Sequence, residues 1–284
     1  MLQKPKMPGL AASSNDTTAI RLVRNTIVLA IAFFCKISFQ RETVVLMYHS
    51  ISPVKDFHDV DPIQFSRQIE YLKRNYKIVS LDDMIGFIRN SQNLPRKAVA
   101  ITFDDAYHNC YLNAYPFFRK NKLPVTIFVA PGYIGKEWPW NIAHYRTLNW
   151  DEIKEMSKDD VEFGAHTVNH PNLEKASLDD AEKEILRSKT EIEKHIGKKV
   201  KYFSYPFGKY TTEIVNIVKT CGFQAAVAGG GTIHRNSQLF ALNRVQVDSS
   251  VSSLLFKARL TKAVDWLKRL EMMAKRILRK PRPT

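Results

Sequence analysis

Ala98-Val99-Ala100-Ile101-Thr102-Phe103-Asp104-Asp105 decides the fold. A β-rich run stops at two carboxylates, so a strand delivers two acids at its end. Six further runs of the same kind lie at 44–48, 77–79, 125–129, 161–165, 200–204 and 223–228. Between them come amphipathic helical patterns over 62–76, 81–89, 107–121, 150–157 and 177–196. Ser177 followed by Asp180 reads as a helix N-cap, and Gly197 as the terminator. Strands alternating with helices imply parallel pairing and right-handed crossovers. Seven or so such units over ~200 residues predict an α/β fold, a distorted, incomplete β/α (TIM-like) barrel, over an open doubly wound sheet. No Gly-rich dinucleotide or phosphate loop follows a strand, and Gly229–Gly231 lacks the Lys-Ser/Thr that a phosphate loop needs.

Working outward, the expected organisation has three parts. Residues 1–41 form a disordered tail and a short apolar anchor or signal-like segment, 42–250 form the barrel, and 251–284 form a basic amphipathic helical tail. The net charge is +15. Residues 1–41 carry six Lys and Arg against one Asp, and 257–284 carry ten against one Asp and one Glu. The middle is therefore nearly neutral. A nucleic-acid binder would carry its charge on the folded face, so no nucleic-acid partner is expected. Basic ends beside apolar stretches point to an anionic membrane surface. The apolar stretch from Ile27 to Phe34 is shorter than the ~20 residues of a spanning helix, so it reads as an interfacial anchor or a signal's apolar region. Helical spacing of apolar residues over 252–280 suits either a helix packed on the barrel or one lying on a membrane. Three cysteines, far apart, define neither a disulfide framework nor a thiolate metal site.

In barrels of this kind the active site gathers at the C-terminal ends of the strands. Four expected strands end in polar groups: Asp104-Asp105, His166 with His170 four residues on, Tyr205-Pro206-Phe207-Gly208, and Tyr48-His49-Ser50. Three other Asp-Asp pairs sit at expected helix starts or turns; only Asp104-Asp105 follows directly on an apolar strand. Two carboxylates there repel, and a metal would stabilise them. His166 and His170, on one side of a turn or helix, complete a set of two imidazoles and one carboxylate of the kind that holds catalytic zinc.

The strings Thr102-Phe103-Asp104-Asp105, His166-Thr167-Val168-Asn169-His170 and Tyr205-Pro206-Phe207-Gly208, in that order, resemble the polysaccharide deacetylase (NodB-homology) family. Met47-Tyr48-His49-Ser50-Ile51 resembles members acting on poly-N-acetylglucosamine. The likeness covers roughly residues 43–248. It implies a metal-dependent hydrolase that removes acetyl groups from an N-acetylated polysaccharide or glycan, with a divalent metal, usually zinc. It makes Asp104 the general base, Asp105, His166 and His170 the metal ligands, and Phe207 a backbone donor to the oxyanion hole.

Three departures from the family pattern stand out. Ala106 replaces the frequent Gly after the two aspartates. Ser204 replaces the frequent Arg, leaving Arg244 as the expected tether for the base. No His follows His234, so the resemblance to the poly-N-acetylglucosamine members makes His49 the candidate general acid, the alternative being a buried, hydrogen-bonded structural histidine. Trp138, Pro139, Trp140 and Tyr145 form an aromatic loop able either to stack on sugar rings or simply to pack. The rival readings are an O-acetyl esterase on the same site and a non-catalytic, membrane-associated glycan-binding protein. Location is expected to be membrane-associated or exported to the cell envelope, on a side the sequence leaves open.

Overall fold

The computed structural model describes residues 43–261, 263 and 265, apart from 54–55, 90–92, 96, 140–142, 230–231 and 234–236, together with 23, 26, 27 and 30. The expected tail over 1–19, most of the apolar stretch 27–34, Trp140, His234 and the helix beyond 265 lie outside these residues.

Strands β1 (Val44–Tyr48), β5 (Ala98–Phe103), β6 (Val125–Val129), β7 (Val161–Ala165), β8 (Tyr202–Ser204), β9 (Ala225–Val227) and β10 (Val245–Gln246) form one parallel sheet in the order β10-β1-β5-β6-β7-β8-β9. Strand β4 (Lys77–Ile78) pairs with the start of β5, and β2 (Ser50–Ile51) with β3 (Asp59–Val60) forms a separate ribbon. Leu242 bridges to Val227, and three residues on Val245 pairs with Leu46. One short segment thus touches both edges of the sheet and curls it into an irregular β/α barrel.

The helices are α1 (Pro62–Asn75), α2 (Leu81–Ile88), α3 (His108–Asn113), α4 (Tyr115–Asn121), α5 (Trp150–Met156), α6 (Leu178–Ile196), α7 (Thr212–Thr220) and α8 (Ser253–Arg259). Ser177 caps α6 by accepting the Asp180 N–H, and Gly197 ends it with φ +69°. The single helix expected over 107–121 is broken at Ala114, because Pro116 at the start of α4 has no N–H and its ring clashes with the preceding turn. Helix α7 and strand β10 were not among the expected elements; β10, two residues long, is too short to impose a period on the sequence, whereas α7 is long enough and was overlooked.

Alternation along the strands builds two cores. Leu46, Ile101, Phe103, Ile127 and Phe203 face the outer helices. Val45, Ala98, Ala100, Phe128, Tyr202 and Val227 fill the interior, together with Leu81, Met84, Ile85 and Ile88 of α2. Gly164 is required there: a Cβ would stand 2.5 Å from the Phe128 ring. The interior faces of β5, β7 and β8 continue upward by twos to Asp104, His166 and Ser204. Past α8, Leu260 and Ala263 are buried and Phe256 packs against Tyr71, so this first part of the C-terminal segment rests on the barrel.

Candidate metal centre

Asp105, His166 and His170 come together at the C-terminal ends of β5 and β7. One donor atom from each lies within 4.8 Å of the others, and all three residues are buried. Nε2 of His166 is 3.5 Å, and Nε2 of His170 is 3.7 Å, from Asp105 Oδ1. These separations are long for hydrogen bonds. They match the ~3.4 Å between neighbouring ligands of a tetrahedral ion with bonds of ~2.0–2.1 Å. Asp105 Oδ1 is buried without a hydrogen-bond partner among the described residues, as a metal-ligating oxygen would be once its ion is removed. The residues therefore fit a divalent metal.

The backbone is bent to make this set. Of seven non-glycine residues with positive φ among the described residues, five are Asp105, Ala106, Thr167, His170 and Phe207. Such strain collects at functional sites. Ala106, at φ +49°, occupies a conformation that glycine adopts freely, which explains why a glycine suits this position. The stretch from His166 to His170 is an irregular bend, not a helix. Thr167 Oγ1 accepts the His170 N–H at 3.0 Å and closes the bend.

Three contacts that sequence reading missed hold the ligands. His166 Nδ1 lies 2.7 Å from the Ser204 carbonyl, which fixes the proton on Nδ1 and turns Nε2 toward Asp105. Glu184 of α6 accepts the N–H groups of Val168 and Asn169, both at 2.8 Å, and the Asn169 amide at 2.7 Å. Gly132 donates to the Val168 carbonyl at 2.9 Å, and a Cβ there would meet that oxygen at 2.7 Å. Only the glutamate carries a sequence signal, and a single acid in a charged helix is a weak one.

Asp104 stands beside the set. Arg244 donates to both its oxygens, at 2.7 and 2.6 Å, and Ser204 Oγ donates at 3.2 Å. Burial alone would raise the Asp104 carboxyl, but the Arg244 guanidinium, helped by His166 and His49, holds it well below the usual carboxylate range. Asp105 is shifted the same way: burial raises it, and the two site histidines with His49 more than offset that. His170 is pushed down to about 3 by burial and by His166.

A cavity of about 260 Å³ opens over these groups, lined also by His49, His58, Tyr107, Trp138 and Phe207. Enclosure, with His58 beside it, pushes His49 down to about 4 despite Asp105 and Asp104. Phe207, 54% exposed, forms the rim, its ring 4.6 Å from that of His170. Trp138 is 2% exposed and packs edge-on against Tyr133, Tyr107 and His170, so it is chiefly wall. Tyr145 is tied by its hydroxyl to Asp59 and Ser52.

A curled parallel β/α sheet with Asp, His and His at its strand ends defines a class of barrel hydrolases, and the comparisons agree. The sequence model of the polysaccharide deacetylase family matches residues 91–226. YxkH of Bacillus subtilis, which carries a polysaccharide deacetylase name, is 29% identical over 75% of this chain and 74% of its own length. The poly-beta-1,6-N-acetyl-D-glucosamine N-deacetylase of Staphylococcus aureus is also 29% identical, over 63% of this chain; the match spans 64% of that protein. Among solved structures, IcaB from Ammonifex degensii superposes with a TM-score of 0.71 at 25% identity, covering 78% of this chain and 98% of that one. The deacetylase PplD of Streptococcus pyogenes, solved with acetate, gives 0.66 at 27% identity, covering 74% and 94%. Residues 91–226 thus match a polysaccharide deacetylase domain, and the relatives so named are hydrolases acting on carbon–nitrogen bonds other than peptide bonds.

Proposed function

We propose that this chain removes acetyl groups from the N-acetylglucosamine units of a polysaccharide, with a divalent metal held by Asp105, His166 and His170. The observation that carries the reading is one of placement: a three-ligand set sits next to a carboxylate, Asp104, that Arg244 keeps ionised. Two imidazoles and one carboxylate suit zinc. When bound, the metal would polarise the acetyl carbonyl and make nearby water more acidic.

The chain's own groups do the rest. Asp104 accepts the proton of the attacking water. Arg244 aims its oxygens and, by keeping it ionised, also makes it a weak base, so it acts only on water already made acidic. The Phe207 backbone N–H stabilises the oxyanion as it forms. Protonation of the departing amine falls to the histidine side, where His49 lines the cavity.

The basic, apolar ends would carry the barrel to an anionic membrane surface, where it would meet a surface or lipid-linked glycan. Among the described residues no helix is long and apolar enough to cross a membrane. The direct test of the activity is incubation of the zinc-loaded chain with N-acetylglucosamine oligomers. Acetate and free amine should appear in equal amounts, and neither should appear after chelation. Release from O-acetylated sugars alone would replace the amide reading with the esterase one.

A further inference from the structure

Besides His49 and the two ligand histidines, the cavity is lined by His58, which has no task in the reaction as described above. His58 lines the same cavity as His49, and the two rings stand 4.7 Å apart. Its Nδ1 lies 3.3 Å from Asp56 Oδ1; the His58 side chain is 41% exposed and that of Asp56 only 6%. Asp56 is anchored twice. Its Oδ1 accepts the His58 N–H at 3.1 Å, and its own N–H donates to Asp59 Oδ2 at 2.8 Å. Asp59 is buried and is held in turn by Ser50 Oγ at 2.5 Å and Tyr145 Oη at 3.0 Å.

His58 thus has a fixed carboxylate behind it and the cavity in front. A carboxylate in that position orients an imidazole and fixes which ring nitrogen faces the cavity. His49 has neither advantage: its Nδ1 is buried with no hydrogen-bond partner among the described residues. His58, open to solvent, can also recover a proton between turnovers.

We propose that His58, backed by Asp56, is the acid that protonates the departing sugar amine, with His49 packing the wall against which it stands. This rests on the deacetylase reading above. As the carbon–nitrogen bond of the tetrahedral adduct breaks, nitrogen keeps the bonding pair and takes the proton from the His58 imidazolium. The carbonyl re-forms and the acetyl group leaves as acetic acid. The proton that Asp104 took from water returns to His58 through solvent. Water is the only co-reactant, and no group is oxidised or reduced.

The test compares an amide with an ester whose leaving group needs no proton. Zinc-loaded wild type, His58→Gln and Asp56→Asn are assayed on an N-acetylglucosamine oligomer and on 4-nitrophenyl acetate, with metal content measured for each. Loss of a general acid costs ~100-fold or more in kcat. His58→Gln should lose about that on the oligomer with KM little changed, and far less on the ester, so that the amide-to-ester ratio falls by at least ~30-fold. Asp56→Asn should shift the same ratio in the same direction by less. Equal losses on both substrates would make His58 structural and overturn the proposal, as would an unchanged oligomer rate. An inactive wild type on the oligomer would overturn the deacetylase reading and this inference together. An active wild type beside an unimpaired His58→Gln overturns the inference alone.

Discussion

Arg244 grips both oxygens of Asp104, at 2.7 and 2.6 Å, across a sequence separation of 140 residues. The pair is nearly solvent-free, at 1% and 5% side-chain exposure. Arg244 also donates to Ser204 Oγ and to the Ala228 carbonyl, so β5, β8 and the segment after β9 meet at one guanidinium.

Removing one member of such a pair strands a buried charge. Arg244→Met should cost ~3–5 kcal/mol of stability. Arg244→Lys keeps the charge but cannot make the two-pronged contact. It should retain the fold, by thermal melting within a few degrees, while losing at least ~10-fold in kcat, because the base is no longer aimed. Full activity in Arg244→Lys would show that the grip serves only stability.

Asp104→Asn should bind metal as wild type does, since Asp104 is not among the ligand atoms. An amide cannot take the water's proton, so kcat should fall ~100-fold or more. Elemental analysis paired with acetate release measures both. A variant within a few-fold of wild type would make Asp104 structural.

His170→Ala should lose most of the metal, because it leaves a two-ligand site. Dialysis of the intact protein against a chelator should abolish acetate release, and added zinc should restore it. Near-stoichiometric metal in His170→Ala would remove Asp105, His166 and His170 as the ligand set.

Glu184 is not one of the three ligands, yet it holds the bend between His166 and His170 by three hydrogen bonds. Glu184→Ala should weaken metal affinity by ~10–100-fold, the usual effect of losing a residue that orients ligands. Competition with a chromophoric chelator reads it. Unchanged affinity would show that the bend holds itself.

Those contacts explain what the sequence could and could not tell. Strands β1, β5, β6 and β7 are found at the ends expected from their β-rich runs. Each reports a local preference, and the acids and imidazoles follow directly on three of them. Arg244 was legible only through a gap, the missing Arg at Ser204, because nothing local links it to Asp104. Glu184 looks like any acid on a charged helix, and its role appears only when α6 packs beside the bend. His58 sits in a loop between β2 and β3, two-residue strands with no period to read. The near-closure of the barrel through Leu242 was invisible for the same reason.

The ends of the chain lead to the last prediction. Ten Lys and Arg lie in residues 257–284 and six in 1–41, while the barrel between them is almost neutral. Each basic residue near an anionic surface contributes ~1 kcal/mol, and apolar insertion adds to it. Salt screens this attraction, so it should weaken as ionic strength rises. Because Leu255, Phe256, Leu260 and Ala263 pack on the barrel, trimming must spare them. A chain reduced to residues 42–265 keeps that packing and removes most of the charge. The full chain should float with vesicles containing anionic lipid at low salt, and less so at high salt. The trimmed chain should stay in solution under both conditions and keep its acetate-releasing activity on soluble oligomers. Equal recovery of both chains in the soluble fraction at low salt would refute anchoring and leave the metal site's chemistry where it stands.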